Sequence, residues 1–262
     1  MHTGTFTSRR RFLCLTGSLA AGIALTAIPS TILAAEKREG KEKESEVNPV
    51  EDLMREHGVL GRVLLIYDEA MSRMNGAKEV PSGVVADSAG IIRRFIEDYH
   101  EKLEEDEIFP RFQKAGKLDD LVKVLLAQHQ AGRRLTDMIL QSSQPEAGKA
   151  QGDEFQSETM RQLYGSRPLL RKIAPNAKPD LFSALQQFVH MYRPHAAMED
   201  TVLFPAFRSI VSAREFDELG EKFEDREKGL FGKEGFGKIV ESVGEIEKKL
   251  GIHDLSRFTP KV

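Results

Sequence analysis

Two stretches of this chain superimpose residue for residue. His100 to Pro110 and His195 to Pro205 both read His-x3-Glu-acidic-x2-apolar-Phe-Pro. On a helix, residues four apart share a face and lie about 6 Å from each other along the axis, so His100 with Glu104, and His195 with Glu199, project to the same side. Each pair also falls on an apolar stripe at helical spacing. One stripe is Ile92, Ile96, His100, Glu104 and Ile108, flanked by Phe95, Tyr99 and Leu103; the other is Leu181, Leu185, Phe188, Tyr192, His195, Glu199 and Val202. A carboxylate on an inward stripe must find a partner or give up its charge.

Two further stripes each carry one histidine. Leu53, His57, Leu60, Leu64, Tyr67, Met71 and Met74 follow an N-cap at Asn48-Pro49, and Leu118, Val122, Leu125, His129, Gly132, Thr136 and Ile139 repeat the spacing. His57 and His129 are each followed five residues later by arginine (Arg62, Arg134), which extends the repeat weakly to these helices. No sustained period-2 segment occurs. With 40% hydrophobic and 30% charged residues, and 7% aromatics without any Trp, the composition favours helices over a β-sandwich. The expected fold is all-α: a four-helix up-and-down bundle of two related hairpins with accessory C-terminal helices.

Punctuation marks the segments. Asn75-Gly76 to Pro81-Ser82-Gly83 ends the first helix, Pro110 and Gly116 stop the second, and 144–152 reads as a loop. An inserted helix over 153–173, broken near Gly165 to Pro168, precedes Pro175, Pro179 and the fourth main helix. Ser212 and Glu215 have capping-box spacing, and a last helix runs from about Gly237 to Leu250 and stops at Gly251. The chain divides into an export signal (1–35), a charged linker (36–48), the bundle (49–211) and a C-terminal helical extension (212–262).

Four imidazoles and two carboxylates brought to one layer make a metal-ligand set. Bundle cores build dinuclear sites from inward carboxylates and histidines, and imidazole with carboxylate suits Fe, Mn or Zn. The single cysteine, Cys14, excludes a thiolate site. Six side chains cannot fill two octahedra even with both carboxylates bridging, so positions for water or a small ligand remain open. His190 projects away from the inner stripe, His253 lies in the tail and His2 in the signal; none is read as a ligand. Pro194 is expected to kink the fourth helix just before His195. Two readings of that kink stand: a tolerated irregularity, or a freed carbonyl that orients the imidazole. Tyr99 and Tyr192 flank the layer, as packing or as hydrogen-bond donors. Apart from Glu104, the Glu/Lys runs at 101–107 and 221–228 read as solvated faces.

The arrangement resembles the haemerythrin-like (HHE cation-binding) family, with similarity over about residues 49–210. That resemblance implies a non-haem di-iron centre with an oxide or hydroxide bridge. His57, His100, His129 and His195 would be iron ligands, and Glu104 and Glu199 bridging carboxylates. It implies a protein that binds oxygen, nitric oxide or iron itself, for sensing, scavenging or storage. The alternative is a di-iron oxidase or peroxidase. The departure from the oxygen-carrier pattern is at Arg133, where a second histidine of the third helix would stand; its absence opens one iron position. Glu101 is a substitute ligand only if its side chain turns back, since it points about 100° away from His100.

Ser8-Arg9-Arg10-Arg11-Phe12-Leu13 precedes a mainly apolar run that ends in Ala34 and Ala35, the parts of an export signal. The paired arginines resemble a twin-arginine signal, read by the machinery that exports folded chains. Cleavage near Ala34/Ala35 and a periplasmic destination follow as expectations, with an uncleaved anchor as the alternative. Removal of the signal leaves 35 basic and 41 acidic residues, a net charge of -6 and no cysteine. Charge of this sign and spread gives no footprint for nucleic acid.

Overall fold

The computed structural model describes residues 48–143 and 181–260. The signal, the rest of the linker, the loop from 144, the inserted helix and Pro175 and Pro179 lie outside the described residues. Helix α1 (Pro49–Asn75) starts where the sequence places its cap: the Asn48 carboxamide oxygen accepts from the Val50 and Glu51 N–H groups at 3.2 and 3.1 Å. Helix α2 runs as Val84–Ile91, Ile92–His100, Glu101–Leu103, Glu104–Ile108 and Phe109–Ala115, the second and fourth stretches being π-helical. Helix α3 is Asp119–Ser142. Helix α4 is Leu181–Met198, continued by a π-helical Glu199–Leu203 and a last turn Phe204–Phe207. Helices α5 (Ala213–Phe231) and α6 (Gly235–Leu250) follow, then a 3-10 turn at Leu255–Phe258.

Pro110 and Pro205 shape the helices without ending them. In both halves of the repeat the N–H of the preceding phenylalanine reaches five residues back, Phe109 to the Glu104 carbonyl and Phe204 to the Glu199 carbonyl. Proline offers no N–H and its ring crowds the carbonyl four residues earlier, so the chain accommodates it with one wide turn. The extra residue in that turn moves the α4 stripe from Val202, which is half-buried, to Leu203, which is buried. Gly116 rather than Pro110 stops α2, adopting a φ of +62° that a side chain would disfavour. Gly251 closes α6 in the same way, and the Ser212 hydroxyl caps α5 by accepting from the Glu215 N–H at 3.2 Å.

Each main helix packs on the next, and α4 closes on α1. The core of this four-helix bundle includes Leu53, Val63, Ile66, Phe95, Ile139 and Phe188, all fully buried. Helices α5 and α6 pack on α1 and α6 also on α2. Arg62 of α1 grips Glu247 of α6 through two contacts of 2.7 and 2.6 Å, and Phe231 and Phe236 pack against Phe95. Arg134, its counterpart in the weak repeat, is exposed, so that part of the sequence match has no shared role. Among the described residues no helix is long and apolar enough to cross a membrane.

Candidate metal centre

The four bundle helices bring His57 (α1), His100 and Glu104 (α2), His129 (α3) and His195 and Glu199 (α4) to one buried layer; none is more than 6% exposed. Ligand atoms of His57, His100 and Glu104 lie within 4.8 Å of one another, and those of His129, His195 and Glu199 do the same. The carboxylates sit between the two groups. Glu104 reaches His100 Nε2 (3.6 Å) with one oxygen and His129 Nε2 (3.5 Å) with the other; Glu199 Oε2 lies 3.3 Å from His57 Nε2 and 3.1 Å from His195 Nε2. Each acid therefore faces one imidazole of either group. The ring pairs repeat as well: His57 and His100 at 4.7 Å, His129 and His195 at 5.0 Å, both tilted by 53°.

Every Nδ1 is held from behind. Asp200 Oδ1 contacts His57 at 2.7 Å, Glu56 Oε2 contacts His100 at 2.9 Å, Glu105 Oε1 contacts His129 at 3.1 Å and Gln128 Oε1 contacts His195 at 2.9 Å. An acceptor at Nδ1 fixes the tautomer whose Nε2 carries a lone pair, the form a metal needs. The repeat now has a use for each position. Its acidic residue (Glu105, Asp200) holds the lone histidine of a neighbouring helix, and its phenylalanine stacks on that same ring: Phe109 on His129 and Phe204 on His57, both at 5.5 Å.

Several side chains depart from the sequence reading. Residues 101–107 are not a solvated face: Glu101 and Glu107 are buried and Glu105 is half-buried. Glu97, Glu101 and Glu105 form one i, i+4 row on α2 that faces α3. There Arg133 Nη2 lies 2.8 Å from both Glu101 Oε2 and Glu105 Oε1, and Thr136 donates to Glu97 at 2.6 Å. Arg133 is thus shared by two acids behind His129. Glu101 stands 4.0 Å from the Nδ1 side of His129, outside the layer. Pro194 lies within the α-helical part of α4, and the His195 ring is oriented by Gln128 rather than by a freed carbonyl. His190 and His253 are exposed, as read. Tyr99 and Tyr192 are both donors, to Glu56 (3.1 Å) and Glu101 (2.7 Å). The 221–228 run is largely exposed, but Glu227 turns inward and accepts from the Phe236 N–H at 2.9 Å.

Electrostatics sets the six central groups against each other. Burial presses His57 toward the neutral form, yet Asp200 and Glu199 outweigh it and hold its pKa up to about 9. Burial, reinforced by the His57 charge, drives His100 well below its ordinary range, and burial with His195 lowers His129 to about 4 against the pull of Glu105. Burial would raise Glu199, but His195 and His57 hold it below the usual carboxylate range. Glu104 is forced far upward by burial and the charges of Glu199, Glu101, Glu56 and Glu105. Both oxygens of Glu104, both of Glu199 and His129 Nε2 are buried without a well-formed hydrogen bond. Inward-facing acceptors left unmatched at the centre of a bundle are costly, and cations would satisfy them together. The donor set, imidazole nitrogen and carboxylate oxygen, fits first-row divalent ions.

The sequence reading missed Glu56 and Gln128. The available signal was their shared position, one residue before each lone histidine.

Comparison with known proteins agrees with this geometry. The model of the Hemerythrin HHE cation binding domain matches residues 48–206. Uncharacterized proteins of Mycobacterium bovis and Mycobacterium tuberculosis are 42% identical over 257 residues, covering 96% of this chain and 91% of theirs. No solved structure gives a significant match.

Proposed function

The chain belongs to the hemerythrin HHE cation-binding family, and from that premise we propose that its central layer holds a pair of iron ions. His57 and His100 would hold one ion and His129 and His195 the other, with Glu104 and Glu199 within reach of both groups. The carrying observation is the convergence of four Nε2 atoms, each fixed by a partner at Nδ1, on two buried carboxylates that face both groups. Iron in such a set supplies reversible redox chemistry and positions for a small ligand. The protein's own contribution is to orient the imidazoles, supply two negative charges and keep the layer dry. We infer that the pair binds oxygen, nitric oxide or peroxide, or holds iron itself.

The test is metal analysis and an absorption spectrum of the full chain purified from its natural compartment, followed by mixing the reduced protein with oxygen, nitric oxide and peroxide. Near two iron ions per chain and a persistent spectral adduct support binding, whereas rapid consumption of peroxide or oxygen assigns an enzyme. A colourless protein without metal overturns the reading. Export through the twin-arginine route belongs to the same proposal and rests on Ser8 to Leu13 and the apolar run behind them. Replacing Arg9 and Arg10 with lysine should retain the chain in the cytoplasm; normal export of that variant counts against the route.

A further inference from the structure

The two halves of the repeat are alike in geometry and unlike in charge. Behind His100 stands a carboxylate, Glu56 Oε2 at 2.9 Å; behind His195, at the equivalent place and the same 2.9 Å, stands a neutral amide, Gln128. Behind the other two imidazoles both acceptors are acids, but their surroundings differ. Glu105, on His129, is shared with the Arg133 guanidinium at 2.8 Å and with the Lys102 ammonium. Asp200, on His57 at 2.7 Å, meets no lysine or arginine among the described ion pairs. A carboxylate at Nδ1 raises the basicity of the opposite nitrogen as a metal ligand; an amide does so far less, and a cation sharing the carboxylate draws that effect off.

We propose that the two ion positions are unequal, the one at His57 and His100 filling first and holding its ion more tightly. The one at His129 and His195 fills last and releases first, and Gln128 is the residue that sets the difference. The inference rests on the two-ion reading above and goes beyond it, since the inner donors are equal on the two sides. Each side has two imidazoles and a share of the same two carboxylates, so the inequality comes from the residues behind them. The consequence is an exchangeable ion on the α3–α4 side of the layer.

The experiment is anaerobic titration of the metal-free full chain with ferrous iron against a competing chelator. His100→Ala and His195→Ala remove equivalent ligands from the two positions. His100→Ala should lower the affinity of the first ion at least about 10-fold, whereas His195→Ala should abolish mainly the second binding step. Gln128→Glu, nearly isosteric, should tighten the second step by about 10-fold or more. The exchange Glu56→Gln with Gln128→Glu should invert which histidine matters for the first ion. Circular dichroism of the metal-free variants checks folding, and the Gln128→Glu result decides the matter should an alanine variant not fold. Equal losses in the two alanine variants, or a Gln128→Glu chain that leaves both steps where they were, overturns the inequality while leaving the two-ion reading intact. A wild-type chain that takes up no iron overturns both.

Discussion

Gly132 of α3 lies against the hydroxyl of Tyr192 on α4, and replacing it with alanine tests whether that contact positions the wall of the site. A Cβ built there would stand 1.9 Å from Tyr192 Oη, 2.7 Å from Cζ and 2.9 Å from Cε2. Tyr192 has little room to retreat: it is 1% exposed, its ring packs on Phe188 at 4.4 Å and on His195 at 5.4 Å, and its hydroxyl donates to Glu101. Loss of that hydrogen bond with a buried acceptor left unmet costs ~1–3 kcal/mol, and overpacking a filled site adds ~1–3 kcal/mol. Alanine in a helix interior returns up to ~1 kcal/mol relative to glycine. Taken at their midpoints, these terms give a net loss of about 3 kcal/mol for Gly132→Ala, which in a chain of this size lowers the melting midpoint by roughly 6–12 °C.

Thermal unfolding of the metal-free chain, followed by circular dichroism in chelator, measures that loss directly. Tyr192→Phe removes the oxygen but keeps the ring. The double variant should therefore lose at least ~1 kcal/mol less than the sum of the two single changes, because the hydrogen bond to Glu101 is lost only once and the clash with the oxygen is gone. A Gly132→Ala chain that is unchanged or more stable by ~1 kcal/mol would show helix propensity alone and refute the tight contact. Additive behaviour of the two substitutions would refute it equally.

Three other outcomes follow from the same interior. Burial holds Glu97 up to about 7 against Arg93 and Thr136, above its unfolded value of 4.5. Its contribution to stability is thus fully present below pH 4.5 and lost as pH rises through 7, a span of ~3 kcal/mol. Denaturant unfolding in chelator at pH 5 and pH 8 should show Glu97→Gln flattening that slope, and an unaltered slope counts against it. His57, held near 9, must shed a proton before it can bind a cation, so iron affinity should climb up to ~10-fold per pH unit between pH 6 and 8 in competition titrations. A flat profile would exclude proton displacement. Arg133→Ala strips the cation from two acids; because the arginine side chain is 16% exposed, a loss of ~2–3 kcal/mol is expected rather than the full cost of breaking a buried pair, and denaturant titration reads it.

Stripe spacing made the helices and the inner layer legible. Leu53, His57 and Leu60 on α1, and Val122, Leu125, His129 and Gly132 on α3, recur at the helical period and are buried together. Burial of Glu104 and Glu199 was legible for the same reason. Gly116 and Gly251 marked their helix ends because a left-handed residue is needed there. Pro110 misled because a helix can absorb a proline by widening one turn, and whether it does depends on what continues to be buried beyond it. Here Phe112 of the last turn is fully buried, which gives α2 a reason to carry on. The charged run at 101–107 misled because composition describes a face only when one face exists. In a four-helix ring the flanks of the inner stripe press on neighbouring helices, and the flank carrying Glu97, Glu101 and Glu105 meets Arg133 and Thr136.

That ring geometry also explains which parts of the repeat carry meaning. Glu56 and Gln128 are off the stripe by one residue, about 100° of rotation, so periodicity ranks them as ordinary flank positions. The rotation turns them toward the adjacent helix, where a histidine of the repeat exposes its Nδ1. The acids one residue after each central glutamate are turned to their neighbours likewise. Arg62 and Arg134, matched at the same sequence distance, face different surroundings: α6 packs over α1 and gives Arg62 a partner in Glu247, while Arg134 meets solvent. Sequence equivalence becomes functional equivalence only where the flanking helix is equivalent too. By that criterion positions 56 and 128 are true counterparts, and the exchange of a carboxylate for an amide between them is a chemical difference inside a symmetric frame.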